Sequence, residues 1–346
     1  MKELKFAVFG AGFWSNYQIA GWKELPGLKL SAICDPEQEK ARAMAEKFGI
    51  PQIYTNPKDL LSNEQDLDFI DIITEVDNHL PLAQLAASRG INVVCQKPMA
   101  PSLPECKQMV ESCKTSGVKL FINENFRWQA PLRRVKQLLD NGNIGAPFKA
   151  RVSFCSGFPV FDNQPFLRTL DRFILTDIGS HILDICRFLF GEARNLRCLT
   201  RRVNPDIKGE DIANVLLEMT SGLHCYAEMS YASILEDEVF PQTLVLVEGE
   251  YGSIELCSDY TVKITNRQGT IAERHNPQLY SWVDPDYALV HSSIVDTQAN
   301  LLQGLRGGEA ETTGDDNLQT SKLIWASYYS AENNELVDLA NFNHYE

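Results

Sequence analysis

Lys97 follows directly on the short apolar run Val93-Val94-Cys95 and Gln96, and Pro98 comes next. A lysine at the open end of a parallel strand stands where doubly wound sheets bind ligands, and the proline after it biases its backbone away from helix. Eighty residues further on comes Asp177-Ile178-Gly179-Ser180-His181. Placed four apart on a predicted helix, Asp177 and His181 project from one face. An ammonium, a carboxylate and an imidazole that titrates near neutrality are the groups general acid-base chemistry requires at a ligand-bearing rim.

A second constellation lies near the start. Gly10-Ala11-Gly12-Phe13-Trp14-Ser15 falls between the apolar run Leu4–Phe9 and a helix-like stretch. Gly10 permits a tight turn, Gly12 lets the backbone approach a pyrophosphate, and the following helix N-terminus offers unpaired N–H groups to its charge. Ser15 stands where a third glycine is usual, and it is small enough for close packing of helix on strand. Asp35 lies twenty residues beyond Ser15, after a second apolar run. A carboxylate there accepts hydrogen bonds from an adenosine ribose and repels a 2′-phosphate, so the pair predicts NAD in preference to NADP. Phe13, Trp14, Thr74 and Gln96 are further candidates for cofactor contact. Thr74 is expected to act through its backbone, and His79 reads as a polar residue at a helix start.

The elements that would position these residues follow from the pattern of apolar runs. Candidate strands Leu4–Phe9, Lys29–Cys34, Phe69–Ile73, Asn92–Cys95 and Lys119–Asn123 alternate with helix-like segments near Asn16–Leu25, Glu37–Phe48, Leu80–Arg89 and Pro104–Ser116. That alternation predicts βαβ units and a doubly wound parallel sheet over residues 1–124. After a helix near Leu132–Asn141 the pattern changes. Seven β-rich runs from Phe148–Phe154 to Val262–Asn266, interrupted by a helix at Asp177–Phe190 and closed by helices near Ser292–Leu305 and Asn317–Ala331, predict a second unit over residues 125–346. Its fold is expected to be α+β with a large, open, mostly antiparallel sheet.

Composition narrows the partners. Thirty-two Lys and Arg stand against forty-six Asp and Glu, and the formal charge of −14 disfavours nucleic acid and anionic membrane surfaces. No apolar stretch approaches the roughly 20 residues of a membrane span. The nine cysteines are scattered without a Cys-x-x-Cys pair, and the six histidines show no paired ligand spacing. Neither a disulfide framework nor a metal site is therefore expected, and a cytoplasmic protein acting on a diffusible small molecule is.

With the glycine loop, Lys97-Pro98, Asp177 with His181, and the late stretch Thr313-Gly314-Asp315-Asp316-Asn317-Leu318, the chain resembles the Gfo/Idh/MocA oxidoreductases over nearly its whole length. The resemblance implies a Rossmann domain followed by an open mixed sheet, a nicotinamide cofactor, redox chemistry at a hydroxyl-bearing carbon of a sugar or polyol, and a homodimer or homotetramer. Two departures stand out. Gln96 replaces the usual glutamate before the lysine, and Asp171-Arg172-Phe173-Ile174-Leu175-Thr176 replaces the usual glycine triplet before the histidine helix. Several stretches, among them Glu124-Asn125-Phe126-Arg127-Trp128-Gln129 and Gly157-Phe158-Pro159-Val160-Phe161, resemble a branch of the family that turns a branched pentose into its lactone.

Under that resemblance, His181 is assigned as general base, Lys97 as donor to the developing oxyanion, and Asp177 as the group that orients substrate or histidine. The reverse assignment, with Lys97 as base, stays open. Arg127 and Trp128 are candidates for sugar contact, since a guanidinium donates several hydrogen bonds and an indole packs on apolar ring faces. An interdomain ion pair is the equal alternative for Arg127. Gln164 and Asp316 complete the candidates. An inositol-like polyol dehydrogenase, a sugar reductase of the same family, and a non-catalytic nucleotide-sensing regulator are the competing functions.

Overall fold

The computed structural model describes residues 2–343; Met1 and residues 344–346, with His344 among them, lie outside the described residues. The early apolar runs form β1 (Leu4–Phe9), β2 (Leu28–Cys34), β3 (Gln52–Tyr54), β4 (Phe69–Ile72), β5 (Asn92–Gln96) and β6 (Leu120–Asn123). These make one parallel six-stranded sheet in the order β3-β2-β1-β4-β5-β6. Every residue of β4 and β6 is buried, as a parallel sheet covered on both faces requires.

The covering helices are α1 (Ser15–Glu24), α2 (Gln38–Phe48), α3 (Pro57–Asn63), α4 (His79–Ala87) and α5 (Leu103–Thr115). Local chemistry sets their ends. The Asn56 side chain accepts from Lys58 N ahead of α3, and Ser102 Oγ accepts from Glu105 N ahead of α5. Strand order reverses between β1 and β4, so the crevice beyond their C-terminal ends is the topological switch point, where ligands bind in such sheets.

Beyond α6 (Ala130–Asp140) comes β7 (Pro147–Cys155), then α7 (Val160–Asn163), α8 (Ile178–Phe190), and β8 (Ala193–Arg201) to β10 through β9 (Ile212–Met219), β10 being His224–Ser230. Strands β11 (Leu244–Gly249), β12 (Gly252–Leu256), β13 (Thr261–Asn266) and β14 (Gly269–Arg274) precede α9 (Ala288–Leu305) and α10 (Gly314–Asn333), and β15 (Val337–Asp338) closes the series. Nine strands pair in the order β14-β13-β12-β11-β7-β10-β9-β8-β15. All neighbours are antiparallel except β7 and β10.

Burial alternates along β9 and β10, so the sheet has one core face and one open face. Ala213, Val215, Leu217, Cys225 and Ala227 join residues of α6, α8 and α10 in the core. Phe148, Leu199, Leu216 and Tyr226 are exposed large apolar side chains of β7 to β10. The two halves are stitched together by the late chain. Gln298 of α9 donates from Nε2 to Gln18 O of α1 at 2.9 Å, and Ile122 N of β6 donates to Thr312 O at 2.9 Å.

Candidate active site

Beyond β1, Gly10 turns the chain with φ +103°. A β-carbon there would stand 2.3 Å from Ile73 O, so the turn admits only glycine. At Gly12 a β-carbon would meet nothing within 4 Å, which leaves open space above the loop where a pyrophosphate can approach the backbone. Helix α1 starts without a side-chain cap and without an acidic residue in its first turn. Ser15, Asn16 and Tyr17 N donate to Gly12, Phe13 and Trp14 O at 3.2, 3.3 and 3.1 Å, and the N–H groups of Gly12, Phe13 and Trp14 just ahead of the helix are left to face an anion. Ser15 is fully buried and donates its hydroxyl to Gly10 O at 2.9 Å, which is how serine takes the place of the third glycine.

Asp35 stands against this loop. Its Oδ2 accepts from Ala11 N at 2.8 Å and its Oδ1 from Glu37 N at 2.9 Å. Each carboxylate oxygen can accept a further bond, so the same group can brace the loop and meet a ribose. Phe13 is half exposed and packs edge-on against Trp14 and Tyr17. The Thr74 carbonyl faces His79 Nε2 at 3.1 Å, and the other ring nitrogen faces Pro98 O at 3.0 Å. His79 thus ties the end of β4 to the loop after β5. Gln96 turns its Oε1 back to accept from Lys97 N at 3.0 Å. The open space at Gly12 and the uncapped helix fit a dinucleotide.

Across the crevice, the structure brings Lys97, Asp177 and His181 together. Lys97 Nζ lies 3.2 Å from Asp177 Oδ1 and donates also to Asp177 O at 3.3 Å. Asp177 occupies the N-cap position of α8 instead of a helical turn, and its Oδ2 accepts from Tyr231 Oη at 3.3 Å. His181, in the first turn of α8, is 4% exposed. Its ring stacks on Phe126, with centroids 3.8 Å apart and planes at 6°. Its Nδ1 lies 2.5 Å from Glu124 Oε1. Burial, followed by the Lys97 charge, drives the imidazole pKa well below its ordinary value, against the pull of Asp177 and Asp184.

Other candidates go elsewhere. Arg127 is buried and forks onto Asp184, with Nε–Oδ2 at 2.7 Å and Nη2–Oδ1 at 2.5 Å, and it reaches Asp316 at 2.9 Å. Its donors therefore serve the ion pair, and Asp316 is shared with Arg187 at 3.0 Å. Trp128 lies under the Arg133 guanidinium, 4.2 Å from its ring centroid, with its Nε1 buried and unpartnered. Gln164 stands at the N-cap position of the short helix Pro165–Thr169 after α7 without a side-chain cap, and among the described residues no side-chain hydrogen bond joins it to Lys97 or His181. Among the described residues, no group of three or more His, Cys, Asp or Glu is arranged to hold a metal ion.

The sequence reading missed Glu124 and Tyr231. Glu124 follows β6 by one residue, at the same rim as Lys97, and no local pattern marks it, since His181 lies 57 residues away in sequence. Asp177 was expected to orient substrate or histidine; in the structure the carboxylate on the imidazole is Glu124, and Asp177 holds Lys97. Tyr231 lies one residue beyond β10, and only the pairing of β10 with β7 and β9 aims it at Asp177.

A parallel sheet in this order, an anion-ready glycine loop at its switch point and a buried acid-base cluster across the crevice define a dinucleotide-dependent oxidoreductase. Residues 4–124 match the oxidoreductase family described as an NAD-binding Rossmann fold, and residues 132–255 match the GFO/IDH/MocA C-terminal domain. D-apiose dehydrogenase of Paraburkholderia graminis is 43% identical over 98% of this chain and 90% of its own length. The D-apiose dehydrogenase of Rhizobium rhizogenes is 40% identical over 98% of both chains. A crystal structure of an oxidoreductase from Agrobacterium radiobacter, in complex with NAD+, L-tartaric acid and magnesium, superposes with a TM-score of 0.95 at 40% identity, covering 98% of this chain and 99% of that one. The chain belongs to the Gfo/Idh/MocA family of NAD-dependent oxidoreductases.

Proposed function

We propose that the protein oxidises a sugar by hydride transfer to NAD, with D-apiose as substrate and its lactone as product. The observation that carries this reading is the convergence of Lys97, Asp177 and His181 at the switch-point crevice. Two relatives of this name at 43% and 40% identity support the choice of sugar.

The bound nicotinamide supplies a carbon that accepts hydride; the remaining requirements fall on the chain. The substrate hydroxyl must lose its proton as the carbon–hydrogen pair departs. Burial and the Lys97 charge lower the His181 pKa, which favours the neutral imidazole, and as such it accepts that proton as general base. Lys97 donates to the oxygen as negative charge develops there, and its contact with the Asp177 carboxylate sets where Nζ stands. Asp177 holds the lysine, and Tyr231 holds Asp177. Gly10, Gly12, Phe13, Trp14, Asp35, Thr74 and Gln96 form the cofactor side, within a division of labour between residues 1–124 and 125–346.

We extend the proposal to assembly and location. The open face of the second sheet exposes Leu199, Leu216 and Tyr226, with Tyr226 paired to Leu216 in register, and a second copy of the chain covers it. Sedimentation showing only monomer at micromolar concentration contradicts this. The nine free cysteines suit a reducing cytoplasm, and no helix among the described residues is long and apolar enough to cross a membrane.

The purified protein, offered pentoses, hexoses and inositols with NAD and with NADP, tests the function. D-apiose with NAD is expected to give the highest kcat/KM by absorbance of reduced nicotinamide. Faster turnover of an inositol moves the assignment to a polyol dehydrogenase, and binding of NAD without turnover of any of them supports a nucleotide-sensing role.

A further inference from the structure

We propose that Glu124 completes the catalytic base: the Glu124–His181 pair takes up the substrate proton as one unit, His181 at Nε2 and Glu124 through Nδ1. This rests on the dehydrogenase reading above and adds to it a residue that acts through histidine.

The geometry comes from two elements. β6 ends at Asn123, and the next residue bends into the seam, where Glu124 N donates to Ile122 O at 2.8 Å. The following residues pin the bend. Asn125 donates to Val290 O at 3.2 Å and to Ser293 Oγ at 2.8 Å of α9, while Arg127 forks onto Asp184 of α8. Glu124 is 0% exposed. Its Oε1 meets His181 Nδ1 and accepts from Phe126 N at 3.3 Å, and its Oε2 is buried without a partner among the described residues. His181 Nε2 has no hydrogen-bond partner among the described residues. The Phe126 stack fixes the ring plane, so Nε2 is the nitrogen left for substrate.

A fully buried carboxyl with one oxygen unpaired is costly to keep, since a structural role is served as well by an amide or an apolar side chain. Its surroundings explain its retention. Burial and the Asp184 carboxylate raise the Glu124 pKa well above its ordinary value, against Lys97, Arg127 and the Phe126 N–H. Burial with Lys97 lowers that of His181, against Asp177 and Asp184. Both shifts favour a neutral acid beside a neutral imidazole, which is the state of the pair after proton uptake. The state that accepts a substrate proton holds one proton fewer: Glu124 is a carboxylate accepting Nδ1–H, and Nε2 carries a lone pair.

During oxidation the substrate O–H bond breaks and an N–H bond forms at Nε2. The carbon's hydrogen leaves with its electron pair as hydride to the nicotinamide, and the oxygen's pair closes the new C=O bond. The Nδ1 proton then moves onto Glu124 Oε1, leaving a neutral acid and a neutral imidazole in place of a buried ion pair. The pair has gained one proton, and no other reactant is needed.

Glu124→Gln keeps the shape and removes the proton acceptor. With NAD binding retained by tryptophan fluorescence, kcat is expected to fall roughly 10²-fold with KM little changed. The acidic limb of the kcat/KM profile moves to lower pH by about one unit. Glu124→Asp, which keeps a carboxyl on a shorter arm, holds that limb near its wild-type position while losing rate, and so separates folding from proton chemistry. An arm independent of turnover follows the His181 imidazole by ¹⁵N NMR titration, assigned by its loss in His181→Ala. Its midpoint is expected to fall in Glu124→Gln. If neither the kinetic limb nor the NMR midpoint moves, Glu124 is structural and the proposal is overturned. If the midpoint moves while no sugar is turned over by the wild type, the pair stands and the dehydrogenase reading fails.

Discussion

Lys97 Nζ and Asp177 Oδ1 lie 3.2 Å apart although eighty residues separate them in sequence. Lys97 leaves the C-terminal end of a strand in the first sheet, and Asp177 stands at the N-cap position of the helix that carries His181 from the second half. Each half alone holds an incomplete set of groups. The crevice between them is thus where a substrate can meet a lysine donor, an imidazole and a cofactor together.

Two glycines of the loop separate fold from function. Gly10→Ala puts a β-carbon 2.3 Å from Ile73 O at φ +103°, and is expected to destabilise the protein by about 3 kcal/mol in denaturant titration. Gly12→Ala meets nothing within 4 Å. It should stay within about 0.5 kcal/mol of wild type while raising the Kd for NAD by at least about tenfold. Equal losses of stability in both variants contradict this division.

Asp35→Ser removes the carboxylate that borders the glycine loop. The ratio of kcat/KM for NADP over NAD is expected to rise by about tenfold or more, as the repulsion of a 2′-phosphate is lost. An unchanged ratio in initial-rate measurements defeats the assignment.

Asp71, in the middle of the first sheet, is fully buried, and accepts from Trp22 Nε1 at 2.7 Å and Asn123 Nδ2 at 3.2 Å. Burial lifts its pKa to about 7, against those two hydrogen bonds. Between pH 4 and 7 the folded state therefore holds a proton that the unfolded state has released, and stability from this group falls as pH rises through that window. Asp71→Asn removes the dependence, and Asn123 Oδ1, now unpartnered, can accept from the new amide. The gain in stability of the variant over wild type should be larger at pH 8 than at pH 4.5 by about 2 kcal/mol. Melts showing an equal difference at both values contradict it.

Much of this was legible in the sequence because it rests on local periodicity. The strand Leu4–Phe9, the glycine loop and the helix start follow from residues adjacent in the chain, and they occur as expected. The three-residue β3 and two-residue β15 sit at or near sheet edges, too short for alternation to show. Likewise β14 is exposed along its whole length, so no apolar pattern marks it. The candidate site divides in the same way. Lys97 and His181 carry signals in their own neighbourhoods, whereas the partner of each is fixed by long-range packing. Arg127 is equally able to serve a sugar or an ion pair; the position of Asp184 one helical turn beyond His181 decides for the ion pair.

The most direct test compares wild type with Lys97→Met and His181→Ala, following reduced nicotinamide with D-apiose and NAD while cofactor binding is read by tryptophan fluorescence. Both variants are expected to bind NAD and to lose kcat by roughly 10²-fold or more. Either variant turning over at the wild-type kcat removes that residue from the chemistry and contradicts the account.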